Sequence, residues 1–347
     1  MASSTVGLRR VVATSAVSLA IAVSPIFTAI AQAVSLTGAG ATFPVPLYER
    51  YIRAFQSKNP GIKVSYQGVG SGAGIRQVIA GVVDFGGSDA AMTDAEMAKV
   101  GRGVVLVPTA GGAVAVVYNL PGVSNLRLSS GVLPDIFSGK ITRWNDARIA
   151  ADNPGVNLPN APIRTVVRAD SSGTTFIFSN HLSAVSPYFR GRVGAATAPR
   201  WATNPIKGRG NPGVAAQVKN TANSIGYVEF SYAKQNNLQT AAIQNKRTGQ
   251  YVKPSLQSAN QALSQVSFPE NFRVFEGNPA TGYPIVGLTW LMVYKQYPTK
   301  EQANAVKKWV EWILTEGQNL NDDLDYTRIP SATAQRAIST VKSQVRP

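Results

Sequence analysis

Three short polar clusters in this chain combine hydroxyls, glycines and an arginine in a pattern suited to holding a ligand. They read Ala41-Thr42-Phe43-Pro44, Gly70-Ser71-Gly72-Ala73-Gly74 and Arg168-Ala169-Asp170-Ser171-Ser172-Gly173-Thr174. Each places hydroxyls and small residues where a helix should begin. A helix start leaves backbone N–H groups without intrahelical acceptors, and the macrodipole favours negative charge there. With Arg168 on the third, the clusters predict a pocket that surrounds a small oxyanion. Two other chemistries fit the same residues less well. Gly68-Val69-Gly70-Ser71-Gly72-Ala73 formally matches a dinucleotide fingerprint, but reads better as a tight strand-to-helix turn or a close backbone approach to a ligand. Ser172 and His181 do not make a nucleophile–base pair, because a helix over 175–182 puts His181 at its far end, where it would complement the dipole.

Composition narrows the choice. The chain has no cysteine and one histidine, which excludes disulfides and a thiol nucleophile and argues against zinc and histidine-based catalysis. No metal or cofactor is expected. Arg9 and Arg10, the apolar run from Val11 to Ile30, and Ala31-Gln32-Ala33 read as an export signal over residues 1–33, cleaved after Ala33. An uncleaved membrane anchor is the alternative. Lacking a cysteine to carry a lipid, the expected product is a periplasmic protein that starts at Val34. The net charge is +16, of which Arg9 and Arg10 supply two, so +14 stays with the mature chain. Export and the scatter of Lys and Arg argue against nucleic acid. The surplus reads as a solvated basic surface, with peripheral affinity for anionic envelope material as the second reading.

The clusters need elements to position them. Alternating strand-like and helix-like runs give an α/β class. Strands are predicted over 62–66, 103–108, 113–118, 163–167, 224–230 and 289–294, and helices over 46–57, 75–80, 175–182, 214–219 and 301–314. On the last helix, Ala303, Val306, Val310 and Ile313 recur at helical spacing. Segments 153–162, 208–213 and 277–284 are rich in Pro and Gly and read as surface loops. A chain of this length makes two lobes, with Gly111-Gly112 and Tyr283-Pro284-Ile285 as candidate crossovers. Phe85-Gly86-Gly87-Ser88-Asp89 puts an acid in a glycine-rich loop, which taken alone reads as a helix N-cap or turn aspartate. Arg168 and Asp170 taken alone read as an ordinary surface pair.

Further motifs carry a family resemblance. Leu36-Thr37-Gly38-Ala39-Gly40-Ala41-Thr42-Phe43-Pro44, Tyr66-Gln67-Gly68-Val69-Gly70-Ser71, Val83-Asp84-Phe85-Gly86-Gly87-Ser88-Asp89 and the Arg168–Thr174 cluster come first. Ile225-Gly226-Tyr227-Val228-Glu229-Phe230, Ala233-Lys234-Gln235-Asn236-Asn237-Leu238 and Asn321-Asp322-Asp323-Leu324-Asp325-Tyr326 follow in order. On these residues the chain resembles the periplasmic phosphate-binding proteins, the receptors of the bacterial phosphate-specific ABC importer. The likeness spans nearly the whole mature sequence. It implies a two-lobed periplasmic-binding-protein fold of type II, with a ligand cleft between lobes joined by hinge strands. Lobe 1 would be 34–111 plus 283–347, and lobe 2 would be 112–282.

The same resemblance implies a site. Thr42 and Phe43 would give backbone and hydroxyl donors, Ser71 a hydroxyl, Asp89 the acid and Arg168 the cation. Ser172, Gly173 and Thr174 would complete the cage, and Asp170 would orient Arg168. Departures lie beside these positions: Gly72-Ala73 follows Ser71 where Ser-Gly is also seen, and Ser171 stands where glycine is common. Neither removes a ligand group. The implied ligand is inorganic phosphate, with arsenate as a competitor, and the implied partner is a membrane permease; the receptor would be a monomer and not an enzyme. Asp89 would accept the O–H that phosphate keeps near neutral pH and so reject sulfate, which has none. Two alternatives remain: a phosphate-sensing or envelope-associated binding protein without a transport role, and a secreted phosphatase, for which no metal cluster or activated nucleophile is evident.

Overall fold

From Val34 onward the chain alternates strand and helix, as the computed structural model shows. It describes Met1–Ser4 and Ala33–Pro347; residues 5–32, which hold most of the predicted export segment with Arg9, Arg10 and the run to Ile30, lie outside the described residues. The strands are β1 (Val34–Gly40), β2 (Ile62–Gly68), β3 (Phe85–Ser88), β4 (Val104–Asn119), β5 (Arg127–Leu128), β6 (Arg164–Arg168), β7 (Ile206–Gly208), β8 (Ser224–Glu229), β9 (Gln239–Thr240), β10 (Ala242–Gln244), β11 (Tyr251–Val252) and β12 (Val286–Tyr294). The helices are α1 (Val45–Lys58), α2 (Ser71–Ala80), α3 (Asp94–Met97), α4 (Val132–Phe137), α5 (Ala147–Asp152), α6 (Gly173–Val185), α7 (Pro187–Arg192), α8 (Gly210–Asn220), α9 (Phe230–Gln235), α10 (Leu256–Leu263), α11 (Lys300–Leu314) and α12 (Ser331–Gln344).

One sheet carries the site. Its order is β2-β1-β3-β12-β4-β8-β6-β7, with β9 added against β4, and a small second sheet runs β11-β10-β5. At one side β1 is parallel to β2 and β3; at the other β6 is parallel to β7 and β8. Loops at the carboxyl ends of parallel strands therefore gather, which is where open α/β sheets hold ligands. The clusters singled out above follow the ends of β1, β2, β3 and β6.

The two apolar runs around Gly111-Gly112 are a single strand, β4, of 16 residues. Its valines are buried on both faces, as suits a strand covered on both sides. The partner changes along its length: Val104–Ala113 lies against β12, and Val114–Asn119 against β8. Tyr283-Pro284-Ile285 meets β4 at the same place. The Ile285 carbonyl accepts from the Val114 N–H at 2.8 Å, and the Tyr283 hydroxyl donates to the Val114 carbonyl at 3.1 Å.

Packing explains the helices. Pro44 and Pro46 open α1, which buries Leu47, Tyr48, Tyr51 and Phe55 on one face. In α11, Ala303, Val306, Val310 and Ile313 are buried as predicted, together with Trp309 and Trp312, and the Thr299 hydroxyl caps the first turn. The segment before Tyr283 reaches back towards β12 and α3: the Trp290 indole donates to the Phe272 carbonyl, and Arg273 pairs with Asp94 at 2.8 Å. One expectation is corrected here. Segment 208–213 is not a surface loop, because β7 ends and α8 begins within it, and Gly208, Gly210 and Asn211 are buried.

Candidate anion-binding site

Glycines bring the first helix start against the sheet. A Cβ on Gly74 would lie 2.6 Å from the Gly40 Cα, and one on Gly40 would lie 1.9 Å from the Gly87 carbonyl oxygen. Only bare backbone allows α2 to begin there. The Gly70–Gly74 cluster is thus a tight strand-to-helix turn, with Gly70 at φ 94° as the cap. Across from it, the Ser172 hydroxyl caps α6 by accepting from the Thr175 N–H at 3.0 Å. The two helix starts touch: the Gly173 N–H donates to Ser71 Oγ at 3.0 Å, and the Gly72 N–H to the Ser171 carbonyl at 3.0 Å.

Hydroxyl groups line this meeting point, and their lone pairs are engaged by N–H donors. Ser71 Oγ accepts from the Gly173 and Asp89 N–H groups. Thr42 Oγ1 accepts from the Asn211 backbone N–H at 3.1 Å and its side-chain amide at 3.0 Å, and the same amide donates to Thr174 Oγ1 at 3.1 Å. What these hydroxyls retain is a hydrogen to give. Among the described residues, the N–H groups of Thr42, Phe43 and Thr174 also reach no acceptor. The neighbouring carbonyls are taken: Tyr232 donates to that of Thr42 at 2.6 Å and Tyr326 to that of Phe43 at 2.7 Å. Those two backbone carbonyls are thus occupied, while the N–H groups beside them are not.

The charged groups complete the pattern. Arg168 is buried, its side chain 1% exposed, and it is held in a two-pronged pair by Asp170: Nε–Oδ1 2.9 Å and Nη2–Oδ2 2.5 Å. It is no surface pair. Burial alone would raise Asp170, but Arg168 and the Gly210 N–H outweigh it and hold the carboxyl below its ordinary value. The third guanidinium nitrogen, Nη1, is buried without a hydrogen-bond partner among the described residues. Asp89 is buried too. Its Oδ1 accepts from Thr289 Oγ1 at 2.9 Å, whereas Oδ2 has no partner. Burial pushes Asp89 up to about 7, against the opposing pull of the Thr289 hydroxyl and the Arg168 charge. A Cβ on Gly173 would sit 2.6 Å from Asp89 Oδ2, so the acid and the α6 start adjoin.

All of the predicted site residues fall in this cluster. Sequence reasoning missed Asn211, which ties Thr42 to Thr174, and Thr289, which orients Asp89. Pro212 in the first turn of α8 was the available signal for a fourth helix start. His181 behaves differently from expectation. It is buried within α6, its Nδ1 lies 2.8 Å from the Gly277 carbonyl, and burial pushes it down to about 4, so it is neutral and does not complement the helix dipole. No group of acids and histidines among the described residues could hold a metal ion.

The fold and this donor-rich site define a two-lobed α/β periplasmic-binding protein. Residues 28–316 match the family model described as a PBP superfamily domain. The chain is 40% identical over 326 residues to the phosphate-binding protein PstS of Pasteurella multocida, covering 92% of this chain and 93% of that protein. It is 39% identical to the PstS of Haemophilus influenzae, covering 90% and 93%. Among solved structures, a high affinity periplasmic phosphate-binding protein (PfluDING) bound with phosphate superposes with a TM-score of 0.73 at 22% identity, over 88% of this chain and 94% of that one. A phosphate-binding protein from Stenotrophomonas maltophilia gives 0.72 at 20%, over 88% and 94%. The chain belongs to the PstS family of phosphate-binding proteins.

Proposed function

We propose that the cluster around Asp89 and Arg168 is the phosphate site of a receptor that delivers inorganic phosphate to the membrane permease of an ABC importer. The observation that carries the residue assignment is the pair of buried, unpartnered atoms, Asp89 Oδ2 and Arg168 Nη1, set among hydroxyl and N–H donors. A buried anion is costly without such donors, and helix-start N–H groups supply them at fixed positions. Arg168 contributes formal charge and is pre-set by Asp170. Asp89 accepts the hydrogen that phosphate keeps. Arsenate keeps one as well and competes.

The receptor works as a monomer in the periplasm after loss of the segment up to Ala33, and it does no chemistry on its ligand. Its lobes are 34–111 with 283–347, and 112–282. The change of β4 partner at Ala113/Val114 supports this division, although the stretch around Phe272 and Arg273 packs back onto the first lobe. Phosphate closes the lobes by hinge motion. Titration calorimetry on the chain from Val34, freed of phosphate by unfolding and refolding, tests the reading. Tight phosphate binding is expected, with sulfate bound about a hundredfold more weakly at about pH 9 than under acid conditions, because Asp89 loses its proton above about 7; a folded protein that ignores phosphate would overturn it. Identical scattering profiles with and without phosphate would argue against closure.

A further inference from the structure

The Phe43 side of the site rests on a second buried acid. Glu229 ends β8, caps α9 and is fully buried. Both of its carboxyl oxygens accept from the Ser231 N–H at 3.0 Å. Oε2 also contacts the Ser231 hydroxyl and, at 2.9 Å, the Tyr326 hydroxyl. The Tyr326 oxygen in turn lies 2.7 Å from the Phe43 carbonyl.

Counting hydrogens along this chain places a proton. The three shortest contacts run Ser231 to Glu229, Glu229 to Tyr326, and Tyr326 to Phe43, and each needs one hydrogen; the longer Ser231–Tyr326 contact, at 3.3 Å, lends neither hydroxyl a further one. Ser231 and Tyr326 bring one apiece, and a carbonyl brings none. The third has to come from the carboxyl group. An ionised Glu229 would leave either the Phe43 carbonyl without a donor or two oxygen lone pairs facing each other, both costly in a buried place.

We propose that Glu229 is a neutral carboxylic acid whose proton, relayed through the Tyr326 hydroxyl, holds the Phe43 carbonyl and so fixes the turn that aims the Thr42 and Phe43 N–H groups at phosphate. Glu229 is a positioning residue, and its functional half rests on the phosphate reading above. The groups around it come from several elements. Ser231 and Tyr232 lie on α9, and Asn211 of α8 accepts the Glu229 N–H at 2.9 Å. Asp325, beside Tyr326, is the acid that acts on it, and Lys234 pairs with Asp325 at 2.6 Å. Glu49 of α1, Asp89 and Arg168 act on the neighbouring Tyr232. Burial first, then the Asp325 charge, push Glu229 up to about 8 against the pull of Ser231 and Tyr326. Above that pH the carboxylate claims the Tyr326 hydrogen and the Phe43 carbonyl is released.

Glu229→Gln keeps a donor to Tyr326 without titrating, whereas Glu229→Ala and Tyr326→Phe break the relay. The test pairs infrared difference spectra of phosphate-free wild type against Glu229→Gln with phosphate calorimetry across pH. A carboxylic-acid carbonyl band is expected in the wild type at neutral pH, fading above pH 8. Phosphate affinity of Glu229→Gln should stay within about threefold of wild type at neutral pH, while Glu229→Ala and Tyr326→Phe lose about tenfold or more. The wild type should weaken relative to Glu229→Gln as pH rises through that range; the variant shares Asp89 and the ligand, so the ratio isolates Glu229. A carboxylate band already at neutral pH, or a wild-type to Glu229→Gln ratio flat with pH, overturns the proposal. The acid band with no phosphate binding by any variant keeps the proton assignment but overturns its functional half together with the phosphate reading.

Discussion

Replacing Asp89 by Asn should let sulfate into the site. In the wild type, Asp89 Oδ2 is buried and partnerless, and sulfate can bring only an acceptor to it. A charged acceptor pair left facing in a buried site costs about 3 kcal/mol or more, and at about 1.4 kcal/mol per tenfold this excludes sulfate by at least about a hundredfold. Asn keeps the shape and offers an N–H. At about pH 9, where only about 1% of the wild-type carboxyl keeps its proton, sulfate affinity should therefore rise about a hundredfold in Asp89→Asn, while phosphate, which can accept as well as donate, loses far less. The wild type supplies an internal control. Because burial raises Asp89 to about 7, the carboxyl is protonated well below that pH and can itself donate. Wild-type protein should bind sulfate under acid conditions and reject it above neutrality, and Asp89→Asn should show no such dependence. Calorimetry with sulfate and phosphate at both pH extremes measures this directly. An Asp89→Asn protein that rejects sulfate at about pH 9 as strongly as the wild type would show that Asp89 does not set the selectivity.

Four further outcomes follow from the same geometry. Arg168→Ala should weaken phosphate binding at least about tenfold by calorimetry, since it removes a buried cation whose Nη1 has no partner among the described residues. Asn211→Ala leaves Thr42 and Thr174 without their shared donor and should raise the phosphate Kd about tenfold, with the far-ultraviolet spectrum unchanged. Gly173→Ala puts a Cβ 2.5 Å from Ser71 Oγ and 2.6 Å from the Asp89 side chain, so phosphate binding should disappear while thermal unfolding stays cooperative. Asp89 also shapes stability. Its folded value of about 7 exceeds the ordinary 3.8, so the folded chain keeps a proton that the unfolded chain releases between those values. Stability of the phosphate-free protein should fall as pH rises across that window, and melting curves of Asp89→Asn should show a smaller fall.

Local chemistry was the legible part. Hydroxyls, glycines and an arginine next to strand ends announced the starts of α1, α2 and α6, because capping and close backbone approach demand those residue types over a few positions. The long helices were legible for a similar reason: Ala303, Val306, Val310 and Ile313 repeat at helical spacing. What joins distant segments was not. Thr289 reaches Asp89 across 200 residues, and Tyr326 reaches Phe43 across 283, and no pattern in one segment announces the other. Gly111-Gly112 stood between two predicted strands as a candidate crossover, and β4 runs through it unbroken; a Cβ on Gly111 would lie 2.5 Å from Thr327 Oγ1 and one on Gly112 3.0 Å from the Phe43 ring. The α8 start was hidden because Gly210, Pro212 and Gly213 have loop composition, while the fold uses Gly213 for close approach to Gly208 and Gly210 for close approach to Thr42. His181 was misread because its helix is buried on nearly all sides, which a count of charges at helix ends does not reveal.

A crystal structure of the chain from Val34 grown with phosphate would decide whether this cluster is the phosphate site. A tetrahedral anion is expected within hydrogen-bond distance of Asp89 Oδ2 and Arg168 Nη1, with Thr42, Ser71, Ser172 and Thr174 donating and the Thr42 and Phe43 N–H groups directed at it. Phosphate bound elsewhere, with Asp89 Oδ2 and Arg168 Nη1 still lacking partners, would contradict it.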